Sequence, residues 1–247
     1  MEKTTAEHGD GKPAPEIKTT DLDQTTVLIA FFVVLITCVL LYIFRKKRAA
    51  RTDFLLTGVC DSGKTLLFSQ LVINKGRETF TSISENIGWY QCGRGSVKVL
   101  DLPGHERLRS KFFDKYKSQA KGIVYVVDSA TLQKDVRDVA DYLYTILADN
   151  ATSSSAILIL CNKQDEPLAK GSAVIKALLE KEINVIRSTR ASKLESVDSS
   201  RDSTNSFLGK QGKDFEFAHL PQNVQILESS AKKNELNHLR DWIDRIV

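Results

Sequence analysis

The sequence predicts an α/β fold, a mostly parallel sheet flanked by helices, preceded by one N-terminal transmembrane helix. Three observations carry that expectation. Apolar runs at 54–57, 86–92, 97–100, 122–127, 156–161 and 223–227 alternate with helical patterns at 64–74, 134–148, 171–183 and 235–246, the βα rhythm of a parallel sheet. The run DFLLT passes through GVCDSGKT into an amphipathic pattern, the strand–loop–helix setting of a phosphate-binding loop. Ahead of both, residues 27–44 read VLIAFFVVLITCVLLYIF without a charge.

Taken from the N-terminus, residues 1–26 form a short acidic tail, with Glu2, Glu7, Asp10, Glu16, Asp21 and Asp23 against three lysines. The apolar stretch 27–44 spans ~27 Å as a helix, the thickness of a thin hydrocarbon core. A buried core helix would keep a polar face, and a signal peptide would start nearer the N-terminus behind a basic leader. Residues 45–52 are a basic linker carrying Arg45, Lys46, Lys47, Arg48 and Arg51. The positive-inside rule puts that side in the cytosol and the tail in a lumenal or extracellular space. Residues 53–247 are long enough for one domain. The net charge of +4 argues against nucleic acid as the main partner, and no direct sequence-specific nucleic-acid binding is expected. The four cysteines, Cys38, Cys60, Cys92 and Cys161, show no paired spacing, so a disulfide framework is excluded in favour of a reducing compartment.

GVCDSGKT supplies the first candidate site. Gly58 and Gly63 let backbone N–H groups curl around phosphate oxygens, Lys64 adds a point charge at the outer phosphates, and the Thr65 hydroxyl suits Mg2+. Asp61 and Ser62 complete the loop. A carboxylate at Asp61 is tolerable only if it points outward. Cys60 either crowds the water that attacks the last phosphate or is a loop residue turned away from it.

The next candidates are ordered behind it. Asp101 and Gly104 of DLPGH follow the strand-like SVKVL, 37 residues after Lys64. There Asp101 can reach Mg2+ and the Gly104 N–H the γ-phosphate. AILILCNKQD then ends in Asn162, Lys163 and Asp165. The Asp165 carboxylate can accept from guanine N1–H and the exocyclic amine, a donor pair adenine lacks, so GTP is expected rather than ATP. Ser230 and Ala231 of ILESSAKK are candidates to touch the guanine oxygen. Thr81, 17 residues after Lys64, is a candidate switch ligand for Mg2+, with Thr79 and Ser82 competing. His105 stands where small switch proteins keep a water-orienting glutamine. It either positions that water, the favoured role, or packs over the switch without chemistry. No arginine finger lies at a motif position, so turnover is expected to be slow and accelerated in trans. Arg107 and Arg109 read as a solvated or partner-facing switch surface, and residues 187–214 as a serine- and charge-rich surface insertion, partly disordered.

The order GVCDSGKT, DLPGH, NKQD and SSAK behind an anchor resembles the small GTPases nearest the ADP-ribosylation-factor and coat-assembly branch. With DLPGHERLR, the insertion and GKQGKDFEFAHLP at 209–221, it resembles the family of signal recognition particle receptor β subunits over roughly residues 25–247. Elongation GTPases share D-x-P-G-H but have a longer gap between the first two motifs and no anchor. The resemblance implies a P-loop GTPase domain using GTP and Mg2+, and residence in the endoplasmic reticulum membrane. It implies a partner, the receptor's α subunit, docking on the GTP-bound switch face, with the signal recognition particle and translocon engaged indirectly. Two other functions stand beside it: an anchored binding module holding GTP as a structural ligand, and a coat-recruiting trafficking GTPase, although a permanent span cannot cycle off a membrane.

Overall fold

The computed structural model describes residues 24–49, 51–74, 82–93, 95–195 and 208–247, and its chain divides into two units, 1–48 and 49–247. The first holds all but the last residue of α1 (Gln24–Ala49), a helix of 26 residues. From Leu28 to Tyr42 every side chain is exposed, whichever side of the helix it is on. Among the fully described residues no helix is long and apolar enough to cross a membrane. That described stretch, 28–42, is itself shorter than a span requires, and α1 continues beyond it at both ends. Of the acidic tail, residues 1–26, the last three open α1 and residues 1–23 lie outside the described residues.

The second unit is a sheet with helices on both faces. In chain order it runs β1 (Asp53–Thr57), α2 (Lys64–Val72), β2 (Asn86–Cys92), β3 (Gly95–Asp101), α3 (Glu106–Tyr116), β4 (Ala120–Asp128), α4 (Leu132–Ala148), β5 (Ala156–Asn162), α5 (Ser172–Glu195), β6 (Val224–Glu228) and α6 (Asn237–Ile246). The strand order is β2-β3-β1-β4-β5-β6, and only the β2–β3 pairing is antiparallel.

Sequence pattern explains the order. β1, β4 and β5 are near-continuous apolar runs buried along their length, as central parallel strands covered on both faces must be. The β2 side chains alternate between exposed and half-buried, which suits an edge. Alternation along β1 sends Leu55 into the core under α3, α4 and α5, and Phe54 and Leu56 into the core under α2 and α6. Trp242 of α6 closes the second core edge-on against Phe54, centroids 5.9 Å apart.

The structure adds to the sequence pattern in two places. Residues 106–116 form α3, which the apolar pattern did not announce, because it buries only Arg109, Phe113 and Tyr116. The pattern at 171–183 is part of a longer α5 that carries helix into the region read as a surface insertion. There Arg187 is 7% exposed and donates to the carbonyls of Leu208, Lys210 and Lys213. Leu208, Phe215 and Phe217 are buried with it in the first core. Both flanks of the insertion are therefore part of the domain; residues 196–207 lie outside the described residues.

Candidate functional site

The loops leaving the carboxyl ends of β1, β3, β5 and β6 meet at one pole, where ligands of open parallel sheets bind. After Thr57 the backbone turns through Gly58 (φ 141) and reaches Gly63 (φ 90) at the N-terminus of α2. A Cβ on Gly63 would lie 2.4 Å from Asn162 Nδ2, so only glycine fits. Lys64 is buried, and its Nζ donates to the Val59 carbonyl at 2.6 Å and to Ser62 Oγ at 3.3 Å. Ser62 Oγ in turn donates to Val59 O at 3.0 Å. Burial pulls the Lys64 pKa down, opposed by the Asp101 charge. Asp61 sits in the left-handed region at φ 57 and is exposed; it also borders the phosphate cavity, and its charge acts on Lys64. Cys60 is half-buried and, with Gly63, Lys64, Thr65, Gly104 and Lys163, lines a cavity of about 430 Å³.

At the other wall, Asp101 is fully buried. Its Oδ2 accepts from Thr65 Oγ1 at 2.8 Å and Asn86 Nδ2 at 3.0 Å, while Oδ1 is buried without a partner. Burial raises the Asp101 pKa against the hydrogen bonds from Asn86 and Thr65. Ser82 Oγ stands 3.2 Å from Thr65 Oγ1, so of the three switch hydroxyls Ser82 is placed at this corner; Thr79 and Thr81 lie outside the described residues. An orphaned carboxylate oxygen beside a hydroxyl fits Mg2+, a hard cation bound through one or two carboxylates plus water and phosphate oxygens. Among the described residues no group of three or more His, Cys, Asp or Glu side chains gathers for a metal. Mg2+ held by Asp101 and Thr65 would offset phosphate charge there.

At the base-reading end, Asn162 is buried and acts as a strut. Its Nδ2 donates to Ser62 O at 2.9 Å, and its Oδ1 accepts from Ala231 N at 3.0 Å and Ser229 Oγ at 3.4 Å. Lys163 adopts φ 65 and its Nζ reaches Asp128 Oδ2 at 2.8 Å. Ser230 Oγ donates to Asp165 Oδ1 at 2.6 Å; Asp165 Oδ2 has Lys232 Nζ at 3.9 Å. Asp165 is thus aimed by Ser230, while Ala231 contributes its backbone to the Asn162 strut.

Gly104 lies hard against the phosphate loop, where a Cβ would be 2.7 Å from Lys64 Nζ and 2.8 Å from Cys60 N. His105 caps α3, its Nδ1 accepting from Arg107 N at 3.3 Å, and its side chain is exposed. It borders a second hollow of about 580 Å³ between the phosphate loop and α4, not the phosphate cavity. Arg107 is exposed, as expected. Arg109 is not a solvated residue: it is 7% exposed, forks onto both Asp138 oxygens at 2.6 and 2.9 Å and stacks 4.6 Å from the Tyr142 ring centroid.

Sequence reasoning missed Asn86 and Asp128. Asn86 is placed by register, directly opposite Asp101; its only signal was a polar residue opening a strand. Asp128 ends β4 and accepts from the Ala130 and Thr131 N–H groups, a turn signal legible in VVDSA.

A mostly parallel sheet with a phosphate loop, a buried carboxylate corner and a carboxylate placed by Ser230 defines the P-loop GTPase fold of the small GTP-binding class. The family model described as signal recognition particle receptor beta subunit matches residues 49–224. The human signal recognition particle receptor subunit beta is 42% identical over 244 residues, 94% of this chain and 90% of that protein. The structure of the mammalian SRP receptor matches with a TM-score of 0.71 at 43% identity, over 79% of this chain and 100% of that one. The SRb protein of Chaetomium thermophilum, solved with GDP and Mg and as a GTP/SRX complex, matches at TM-scores of 0.62 and 0.63. Those matches cover 80% and 79% of this chain, and 98% and 100% of theirs. Its identities of 20% and 19% make that a likeness of fold. The chain belongs to the signal recognition particle receptor β-subunit family.

Proposed function

We propose that this chain is a membrane-anchored GTP-binding subunit of the receptor, whose GTP-bound switch face docks the α subunit at the endoplasmic reticulum for co-translational targeting. The observation that carries the nucleotide part is the Asn162 side chain, bonded to Ser62 O in the phosphate loop and to Ala231 N in the loop that carries Ser230. Asp101 and Thr65 would hold Mg2+, and Lys64 and the α2 N-terminus would hold phosphates. The anchor is supported by an apolar helix exposed on all sides from Leu28 to Tyr42, a surface that water does not tolerate at this size. The docking face is supported by Ile83, Ile87 and Trp89, which are 81%, 51% and 59% exposed on and beside the edge strand β2. The GTP/SRX complex of the Chaetomium thermophilum relative points the same way.

A second function is favoured by His105, whose ring is exposed and whose Nδ1 is engaged by the Arg107 N–H. In that alternative the nucleotide is a structural ligand that is hardly hydrolysed. Single-turnover GTP hydrolysis with and without the α subunit tests both. Turnover that is lost in His105→Ala with GTP binding intact supports a switch; no turnover in any condition supports the structural ligand. Co-purification of adenine nucleotides in equal amount would sink both.

A further inference from the structure

We propose that Arg109 is a positioning residue that sets the preference of the site for guanosine triphosphate over diphosphate. The inference rests on Gly104 N–H being the donor to the outermost phosphate.

α3 buries Arg109, Phe113 and Tyr116, one stripe at spacings of four and three. His105, Glu106 and Arg107 are exposed, so the first turn of the helix is tied to the domain through Arg109. On the other side of Gly104, Leu102 is fully buried and its N–H bonds Leu56 O at 2.9 Å. Gly104 is therefore suspended between two anchors, one of them a guanidinium.

That guanidinium reaches beyond α3. It forks onto Asp138 of α4 and lies on the Tyr142 ring. Tyr142 Oη is 2.7 Å from Thr57 Oγ1, both buried, and Thr57 is the residue before Gly58. One planar cation thus ties the switch helix to α4 and to the strand end from which the phosphate loop departs. Both fork nitrogens are engaged by Asp138, so Arg109 acts through Gly104 rather than on a phosphate. Gly104 has no slack, since its Cβ position is 2.7 to 2.8 Å from the phosphate loop. A shift of its N–H by a fraction of an ångström weakens a hydrogen bond steeply. A triphosphate would register that change more than a diphosphate, because Lys64 and the α2 N-terminus lie on other elements and are joined to Arg109 at a remove, through Tyr142 and Thr57.

The test measures GTP and GDP affinities of the full chain in detergent for wild type, Arg109→Lys and Asp138→Asn. Lysine keeps the charge and stem but loses the fork and the stack. The expected result is an about tenfold or larger loss in GTP affinity, with GDP affinity held within about twofold. Asp138 is half exposed, so Asp138→Asn gives the same readout should Arg109→Lys not fold. An unchanged GTP-to-GDP ratio, or equal losses for both nucleotides, overturns the proposal and leaves the nucleotide assignment standing. A wild type without triphosphate preference overturns the role of Gly104 and this proposal with it.

Discussion

Asp165 shows how much one hydroxyl can decide. Ser230 occupies one carboxylate oxygen at 2.6 Å and so fixes the plane in which the other meets a base. Asp165→Asn replaces an acceptor with a donor that opposes guanine N1–H. The expected loss of GTP affinity is roughly 100-fold, from hydrogen bonds to a charged group. Titration with xanthosine triphosphate, which offers a carbonyl where guanine has its amine, should recover binding. The identities of Lys64, Asp101, Asn162 and Asp165 were legible because each falls at a fixed offset after an apolar run. What the residue pattern could not convey was division of labour. Asn162, expected at the base, also ties the loops on either side of it, through Ser62 O and Ala231 N. Arg109 was read as a surface charge because a buried cation is betrayed only by its partners, and Asp138 and Tyr142 lie 29 and 33 residues away in sequence.

Helix α3 is where patterning failed at the scale of elements. Its buried stripe consists of an arginine and two aromatics, so no aliphatic period marks it, whereas β1, β4 and β5 declare themselves by unbroken apolar runs. Its far end is held by charge as well as packing. Glu85, just before β2, accepts from Tyr116 Oη at 2.6 Å and Lys115 Nζ at 2.7 Å. These bonds, Lys115 first, lower the Glu85 pKa from 4.5 to about 2. A depressed carboxylate stabilises the fold at pH above the unfolded value and loses that contribution as pH falls through the folded one. Thermal melts of Glu85→Gln and wild type should therefore differ at neutral pH, and the gap should close between pH 4.5 and about 2. A gap constant over that window would show that the Glu85 bonds do not carry the link. The long α5 was only half legible for a similar reason: Arg187 buries its polar head among carbonyls, which reads as surface when taken alone.

For the molecule as a whole, the sheet has one edge that needs covering. Ile87 and Trp89, two residues apart on β2, share a face and are more than half exposed, and an uncovered apolar edge invites non-specific pairing. Trp89→Ala should weaken GTP-dependent binding of the α subunit by about 2 kcal/mol or more, as for a central aromatic anchor. GTP affinity should be unchanged, since β2 touches the nucleotide corner through Asn86 at its other end. Binding titrations of wild type and Trp89→Ala with and without GTP decide it. Sealed microsomes test the anchor: added protease should digest residues beyond about 50 and spare the tail. The Asn162 strut has a consequence for ligand fragments. Because a single amide girders the seats of sugar-linked base and polyphosphate together, either half that docks stiffens the berth of the other. Guanosine and tripolyphosphate offered separately should then bind with less than their joint worth, and the covalent union of the two should exceed their sum.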